Sequence, residues 1–220
     1  MRAPDVACAI CETRKEKRYC PAVHDKICAI CCGIEREVRF DCPSDCIYLQ
    51  EARRRELPRP LETLEQEALF PNVEVSQQVV YDREPLIGGL SFGLAKSARA
   101  DRGLYDRDLL AAIHALARRY ETLAKSGLHY AEPITSPPQQ AVITELERML
   151  AQYRALEQKH LGYATLKDSE ILQVFVFILR TGYARTSGRP RSRAFIDFLL
   201  QQFPESEIAA PQASSSLIIP

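Results

Sequence analysis

All eight cysteines of this 220-residue chain lie between Cys8 and Cys46, and the 174 residues that follow contain none. A segment of that length cannot bury enough hydrocarbon to fold unaided, so something else must hold it together. Written out, the run is Cys8-x2-Cys11-x8-Cys20-x3-His24-x3-Cys28-x2-Cys31-Cys32-x9-Cys42-x3-Cys46. A gap of two or three residues lets two ligands from one turn reach one tetrahedral ion. The run offers four such pairs: Cys8/Cys11, Cys20/His24, Cys28 with Cys31 or Cys32, and Cys42/Cys46. Four pairs make two sites. The residues read as metal ligands are therefore Cys8, Cys11, Cys20, His24, Cys28, Cys31, Cys32, Cys42 and Cys46, and the expected cofactor is two zinc ions, with an iron–sulfur cluster as the runner-up.

The opening Met1-Arg2-Ala3-Pro4-Asp5 has no apolar stretch of a secretory leader and no lipidation motif is visible, so the expected compartment is the cytoplasm. Thiols stay reduced there, and closely spaced cysteines are metal ligands more often than disulfides. The longest apolar run, Ile171 to Leu179 broken by Gln173, is far shorter than the roughly 20 residues of a bilayer span. Lys plus Arg and Asp plus Glu number 29 each, so net charge gives no push toward nucleic acid or acidic membranes.

Behind the cysteine module (residues 1–50), the chain reads as a linker helix over 51–60 ended by Pro58 and Pro60, a helical bundle over 61–203 and a loose tail over 204–220. The expected fold class is mainly α, a small two-zinc module followed by an all-α bundle of five or six helices. Leu109, Ile113, Leu116, Tyr120 and Leu123 mark one amphipathic helix, with Asp106 as its N-cap and Gly127 as its stop. Ser136-Pro137-Pro138-Gln139 reads as a capping box opening a second helix, ended near Gly162. The run 171–179, apolar on nearly every side, belongs at the bundle centre. Gly182 and Gly188 are read as loop punctuation, and Pro190 as the start of a last helix carrying Phe195, Ile196, Leu199 and Leu200. Tyr120, Leu123, Leu128, Tyr130 and Ala131 recur 33 residues later as Tyr153, Leu156, Leu161, Tyr163 and Ala164, which reads as two bundle helices in one phase.

The order and spacing of the cysteine run resemble cross-brace zinc fingers of the HIT and MYND type. Cys8-x2-Cys11-x8-Tyr19-Cys20-Pro21 matches the opening of the HIT pattern, and Cys28-x3-Cys32 and Cys42-x3-Cys46 match its later pairs. The chain departs from that pattern in His24, one residue late, in Cys42 where those fingers carry histidine, in the long loop before it and in the extra Cys31. The stretches Tyr-Cys-Pro, Ile-Cys-x-x-Cys-Cys-Gly and Cys-Pro-x-Asp-Cys-x-Tyr-Leu also resemble bacterial proteins with a cysteine-rich head and a helical body. The finger resemblance implies that Cys8, Cys11, Cys28 and Cys32 bind one zinc and Cys20, His24, Cys42 and Cys46 the other. Cys31 could replace Cys32 in the first set or His24 in the second, or be a spare thiol; His24 is a ligand or a solvated loop residue.

Sites closed by four protein ligands are structural, whereas catalytic zinc keeps an open position. Together with the lack of a recognisable nucleophile or acidic partner for His114, His129 and His160, this leans the reading away from an enzyme. An enzyme with an unidentified site in the helical body stays as a further alternative. The Gly88-Gly89-x3-Gly93-x2-Lys96-Ser97 run lacks the Gly-Lys pairing of a phosphate loop, and Glu157-x2-His160 occurs once where di-iron bundles need it twice and reads as surface polarity. The head carries eight basic and eight acidic residues, and two zincs on seven thiolates and a histidine add about three negative charges. That favours a protein partner and a scaffolding role. The alternative is a nucleic-acid-associated regulator using Arg180, Arg185, Arg189, Arg191 and Arg193, among which Ser187-Gly188-Arg189-Pro190 resembles a minor-groove core that has lost its first arginine. The expected behaviour on chelation is that residues 8–46 unfold and the helical body stays intact.

Overall fold

The computed structural model describes residues 7–56, 60, 64, 66–128 and 136–204. Pro58, His129, Tyr130, Ala131 and the tail from residue 205 lie outside them. The fold is mainly α: among the described residues, eight helices stand against one hairpin of two three-residue strands. The head comprises β1 (Arg18–Cys20) and β2 (Asp25–Ile27), paired antiparallel with Arg18 opposite Ile27 and Cys20 opposite Asp25, then α1 (Ala29–Glu35) and α2 (Ile47–Arg55). The body comprises α3 (Gln77–Asp82), α4 (Glu84–Ala100), α5 (Asp106–Ser126), α6 (Pro137–Leu161), α7 (Asp168–Arg185) and α8 (Ala194–Gln202).

Helix α7 lies at the centre of the body. Ile171, Val174, Phe175, Val176 and Leu179 are all buried, because its apolar residues leave no polar stripe to face water. It packs against α5 along most of its length, and α4 pairs with α6. Two glycines allow the closest approaches. A Cβ on Gly93 would stand 3.0 Å from Met149 on α6, and one on Gly182 would stand 2.6 Å from Leu110 and 3.0 Å from Phe195. Gly182 is therefore a helix-contact residue inside α7 and not loop punctuation. No described helix is long and apolar enough to cross a membrane.

Helix ends follow the local chemistry in part. Gly127 and Gly162 close α5 and α6 in the left-handed conformation, φ 69° and 80°. Ser136 precedes α6 but makes no capping bond. Pro138 removes one of the two N–H groups such a cap would hold, and Gln139 turns its amide to Asp108 on α5, 3.3 Å away. Asp106 is not the N-cap of its own helix. Its carboxylate is 1% exposed and crosses to the start of α8, accepting from Phe195 N (3.1 Å), Ile196 N (3.0 Å) and the Ser192 hydroxyl (2.7 Å). Helix α8 accordingly starts at Ala194, capped from another helix, and Pro190 stays in the loop before it.

The head is joined to the body by a buried polar seam. Glu37, 2% exposed, has a left-handed backbone (φ 52°) that costs about 1 kcal/mol in a non-glycine residue. That turn aims its carbonyl at Arg191 N (2.8 Å) and its carboxylate at Arg53 (2.7 Å) and the Ser187 hydroxyl (2.9 Å). Arg53 also holds Asp197 of α8 at 2.6 Å, and Asp197 accepts from Ser44 at 2.7 Å. One guanidinium on α2 thus pairs a head carboxylate and a body carboxylate. Removing one member of such a buried set leaves an uncompensated charge at about 3–5 kcal/mol. The loop 186–193 thereby touches both units, and α8 is tied to the head through it.

Two outcomes test these assignments. Asp106→Ala should lower stability by about 1–3 kcal/mol, since it orphans two buried N–H groups and a hydroxyl, whereas Ser136→Ala should change it by less than about 0.5 kcal/mol. Urea unfolding followed by circular dichroism reads both, and equal costs for the two would sink the assignment. Glu157 is buried and not a surface residue: burial pushes its carboxyl up, but the Thr165 hydroxyl, the N–H groups of Leu166 and Thr165 and the charge of Arg83 outweigh it, and the group sits below its usual 4.5. A depressed carboxyl stabilises the fold above the unfolded value and loses that contribution as pH falls through the folded one. Glu157→Gln should therefore destabilise at pH 7 and show a weaker loss of stability than wild type between pH 5 and the acid limit. A parallel acid profile for both proteins would contradict this.

Candidate metal centre

The head's buried cluster consists of Cys8, Cys20, Cys28, Cys31, Cys32, Ile27 and Phe40, so only two of its members are hydrocarbons. Its cohesion must come from what the sulfurs bind. Cys8 and Cys11 flank a tight turn: Glu12 N donates to Cys8 O (2.8 Å), Cys8 N to Arg14 O (2.8 Å), and Glu12 takes the left-handed conformation (φ 55°) that sends the chain back. Cys28 is the N-cap of α1 and its sulfur accepts from Cys31 N at 3.4 Å. Cys28 N in turn donates to the Cys8 sulfur at 3.1 Å. These local devices bring the sulfurs of Cys8, Cys11, Cys28 and Cys31 all within 4.8 Å of one another. A zinc–sulfur bond near 2.3 Å implies a sulfur–sulfur edge of about 3.8 Å in a tetrahedron, so a slight contraction suffices. The four cysteines could hold a metal ion.

Electrostatics favour a cation there. The Thr13 hydroxyl and the N–H groups of Thr13 and Arg14 hold the Cys11 thiol down at about 5. The Cys31 N–H pulls Cys28 down as well. Burial, then the neighbouring Cys28, Cys11 and Cys8, push Cys31 up to about 12. A divalent ion would relieve this arrangement by displacing the protons that remain on the sulfurs, the Cys31 proton above all. The Arg14 guanidinium stands 4.0 Å from both the Cys28 and the Cys31 sulfur. It offsets part of the two negative charges that a divalent ion on four thiolates leaves.

All eight cysteines are free of disulfides. The set that converges contains Cys31 where the finger resemblance implies Cys32. Adjacent residues on a helix point about 100° apart, so Cys32 faces elsewhere. It lines a small cavity with Cys20, Cys42 and Cys46. His24 is exposed in the turn between β1 and β2 with φ 56°, a conformation histidine tolerates better than most residues.

The five arginines of the basic run are each engaged by the chain itself. Arg180 donates to the carbonyls of Leu69, Phe70 and Val73 at 3.0, 2.8 and 2.9 Å, pinning that segment to α7. Arg185 lies over the Phe198 ring at 4.1 Å. Arg189 donates to Gly33 O (3.0 Å) and Arg36 O (2.6 Å), closing the C-terminal end of α1. Arg191 pairs with Asp41, and Arg193 donates to the carbonyls of Arg102 and Leu104. Nothing in their spacing announces carbonyl partners 89 to 156 residues away. In the sequence, the sulfur-facing Arg14 stands beside Lys15, Lys17 and Arg18, and nothing in that run marks it as a partner of the sulfurs.

No protein-family model, curated protein or solved structure matches the chain. Replacing Arg14 by glutamine should leave the ligands in place and weaken metal binding about 10-fold, the usual scale for a group that supports ligands without touching the ion. Competition with a chromogenic chelator measures it, and unchanged affinity would remove Arg14 from the site.

Proposed function

We propose that this is a non-enzymatic zinc protein of the cytoplasm, in which a head holding two zinc ions is built onto a helical body and serves as a protein-interaction or scaffolding unit. The convergence of Cys8, Cys11, Cys28 and Cys31 carries the reading. Four thiolates and no water position make a closed, structural site, and the all-sulfur set in a reducing compartment suits zinc. The cross-brace resemblance is part of the same proposal. A protein partner is supported by the outer face of α1, where Ile30 and Ile34, one turn apart, are 51% and 62% exposed. Apolar side chains adjoining on an otherwise charged surface mark contact sites. The balance of charge in the head, made more negative by thiolate-bound zinc, is unfavourable for phosphate.

The test uses the full chain. Purified protein is expected to carry zinc, and chelation to expose its thiols and lower its helical signal beyond the head because α8 shares the seam. Affinity capture should recover a protein partner that Ile30→Glu with Ile34→Glu no longer binds, at unchanged zinc content and helicity. Metal-free protein with eight reactive thiols, or iron in place of zinc, overturns the metal assignment. Capture that survives the double substitution overturns the interaction face, and capture abolished by nuclease moves the reading to nucleic acid.

A further inference from the structure

Deepening the zinc reading above, on which it rests, we infer that the second ion is held by Cys20, Cys32, Cys42 and Cys46, an all-sulfur set that excludes His24. These four cysteines line one cavity of about 10 Å³ between the hairpin, α1 and the start of α2. That is room for about one sphere of atomic size. The rest of its wall includes Ile27, Phe40 and Leu49, which keep solvent from one side. Two cations serve the site: the Arg18 guanidinium is 3.7 Å and that of Arg36 4.0 Å from the Cys32 sulfur. Arg18 is itself held over the Tyr48 ring at 4.4 Å. A divalent ion on four thiolates leaves about two negative charges, and two guanidiniums balance them. Two half-buried guanidiniums against one sulfur suit an anionic sulfur better than a neutral thiol.

Each ligand arrives by a separate local device. Cys20 ends β1, opposite Asp25. Cys32 follows Cys31 on α1, so one helical turn gives adjacent sulfurs to two different sites. Cys46 is the N-cap of α2 yet its side chain caps nothing, which leaves the sulfur to a ligand role. Cys42 is four residues earlier in the loop that precedes α2. Among the described residues, the first quartet is the one group gathered within 4.8 Å, so the second must draw in. The loop 43–45 between Cys42 and Cys46 is a turn closed by Cys46 N to Pro43 O (3.0 Å) and tied to Asp197 through Ser44, so the contraction falls on the cysteine side chains. His24 does not line the cavity; its exposed place in the hairpin turn accounts for it without a ligand role.

The experiment combines metal analysis with zinc X-ray absorption on the full wild-type chain, and metal analysis of two variants. Two zincs per chain with sulfur as the sole ligand type are expected, falling to one zinc in Cys32→Ser and staying at two in His24→Ala. The wild-type spectrum needs no variant to fold. A nitrogen shell with loss of one zinc in His24→Ala overturns the ligand set. One zinc per chain in wild type overturns the second site and leaves the first standing. Absence of zinc from wild type overturns the parent reading instead.

Discussion

The head has almost no hydrocarbon to fold around. Ile27, Phe40 and Leu49 are its buried hydrocarbon side chains, and at roughly 25 cal/mol per Å² three such side chains contribute only several kcal/mol. Ordering some 40 residues costs far more than that. The seam with the body offsets part of that cost, and a metal ion held by the cysteines would supply a second large term. Everything else in the head follows from presenting sulfurs: the Cys8–Cys11 turn, the capping sulfur of Cys28, and the short hairpin that ends at Cys20.

The seam changes what kind of object the head is. A domain that folds alone shares few contacts with its neighbour. Here Arg53 lies between Glu37 and Asp197, and Arg189 completes the end of α1 from the far side of the sequence. The body depends on the same region. The start of α8 is capped by Asp106, whose partner Ser192 belongs to the loop that binds Glu37 through Arg191 N and Ser187. Head, loop and α8 are therefore joined by buried hydrogen bonds and an ion pair.

What could be read from sequence and what could not divides along the range of the interaction. Periodicity placed α5, α6 and α7, and left-handed glycines ended two of them, because both signals are local. The pairs Cys8/Cys11 and Cys28 with Cys31 were legible for the same reason. Three things were not. Asp106 looks like a cap of its own helix, but it caps another 88 residues later, a fact that depends on packing. Gly182 looks like a breaker, but its missing Cβ admits Leu110 and Phe195. The five arginines look like a patch for phosphate, but their partners are carbonyls, a ring and Asp41, which no linear pattern shows. The choice between Cys31 and Cys32 was also closed to spacing, since both satisfy it.

That choice has a physical consequence. Because Cys31 and Cys32 are consecutive on a helix of seven residues, any rotation of α1 that improves one sulfur's aim worsens the other's. The helix must be fixed in angle by something other than the ions. The sulfur of Cys28 fixes its start and the Arg189 guanidinium its end, the latter reaching in from the loop next to α8. The body thus sets the rotation of the one element that both cysteine groups share. A chain with this spacing but without the loop 186–193 would keep its cysteines and lose the contact that fixes the end of α1, so the helical body helps to position the sulfurs of Cys31 and Cys32.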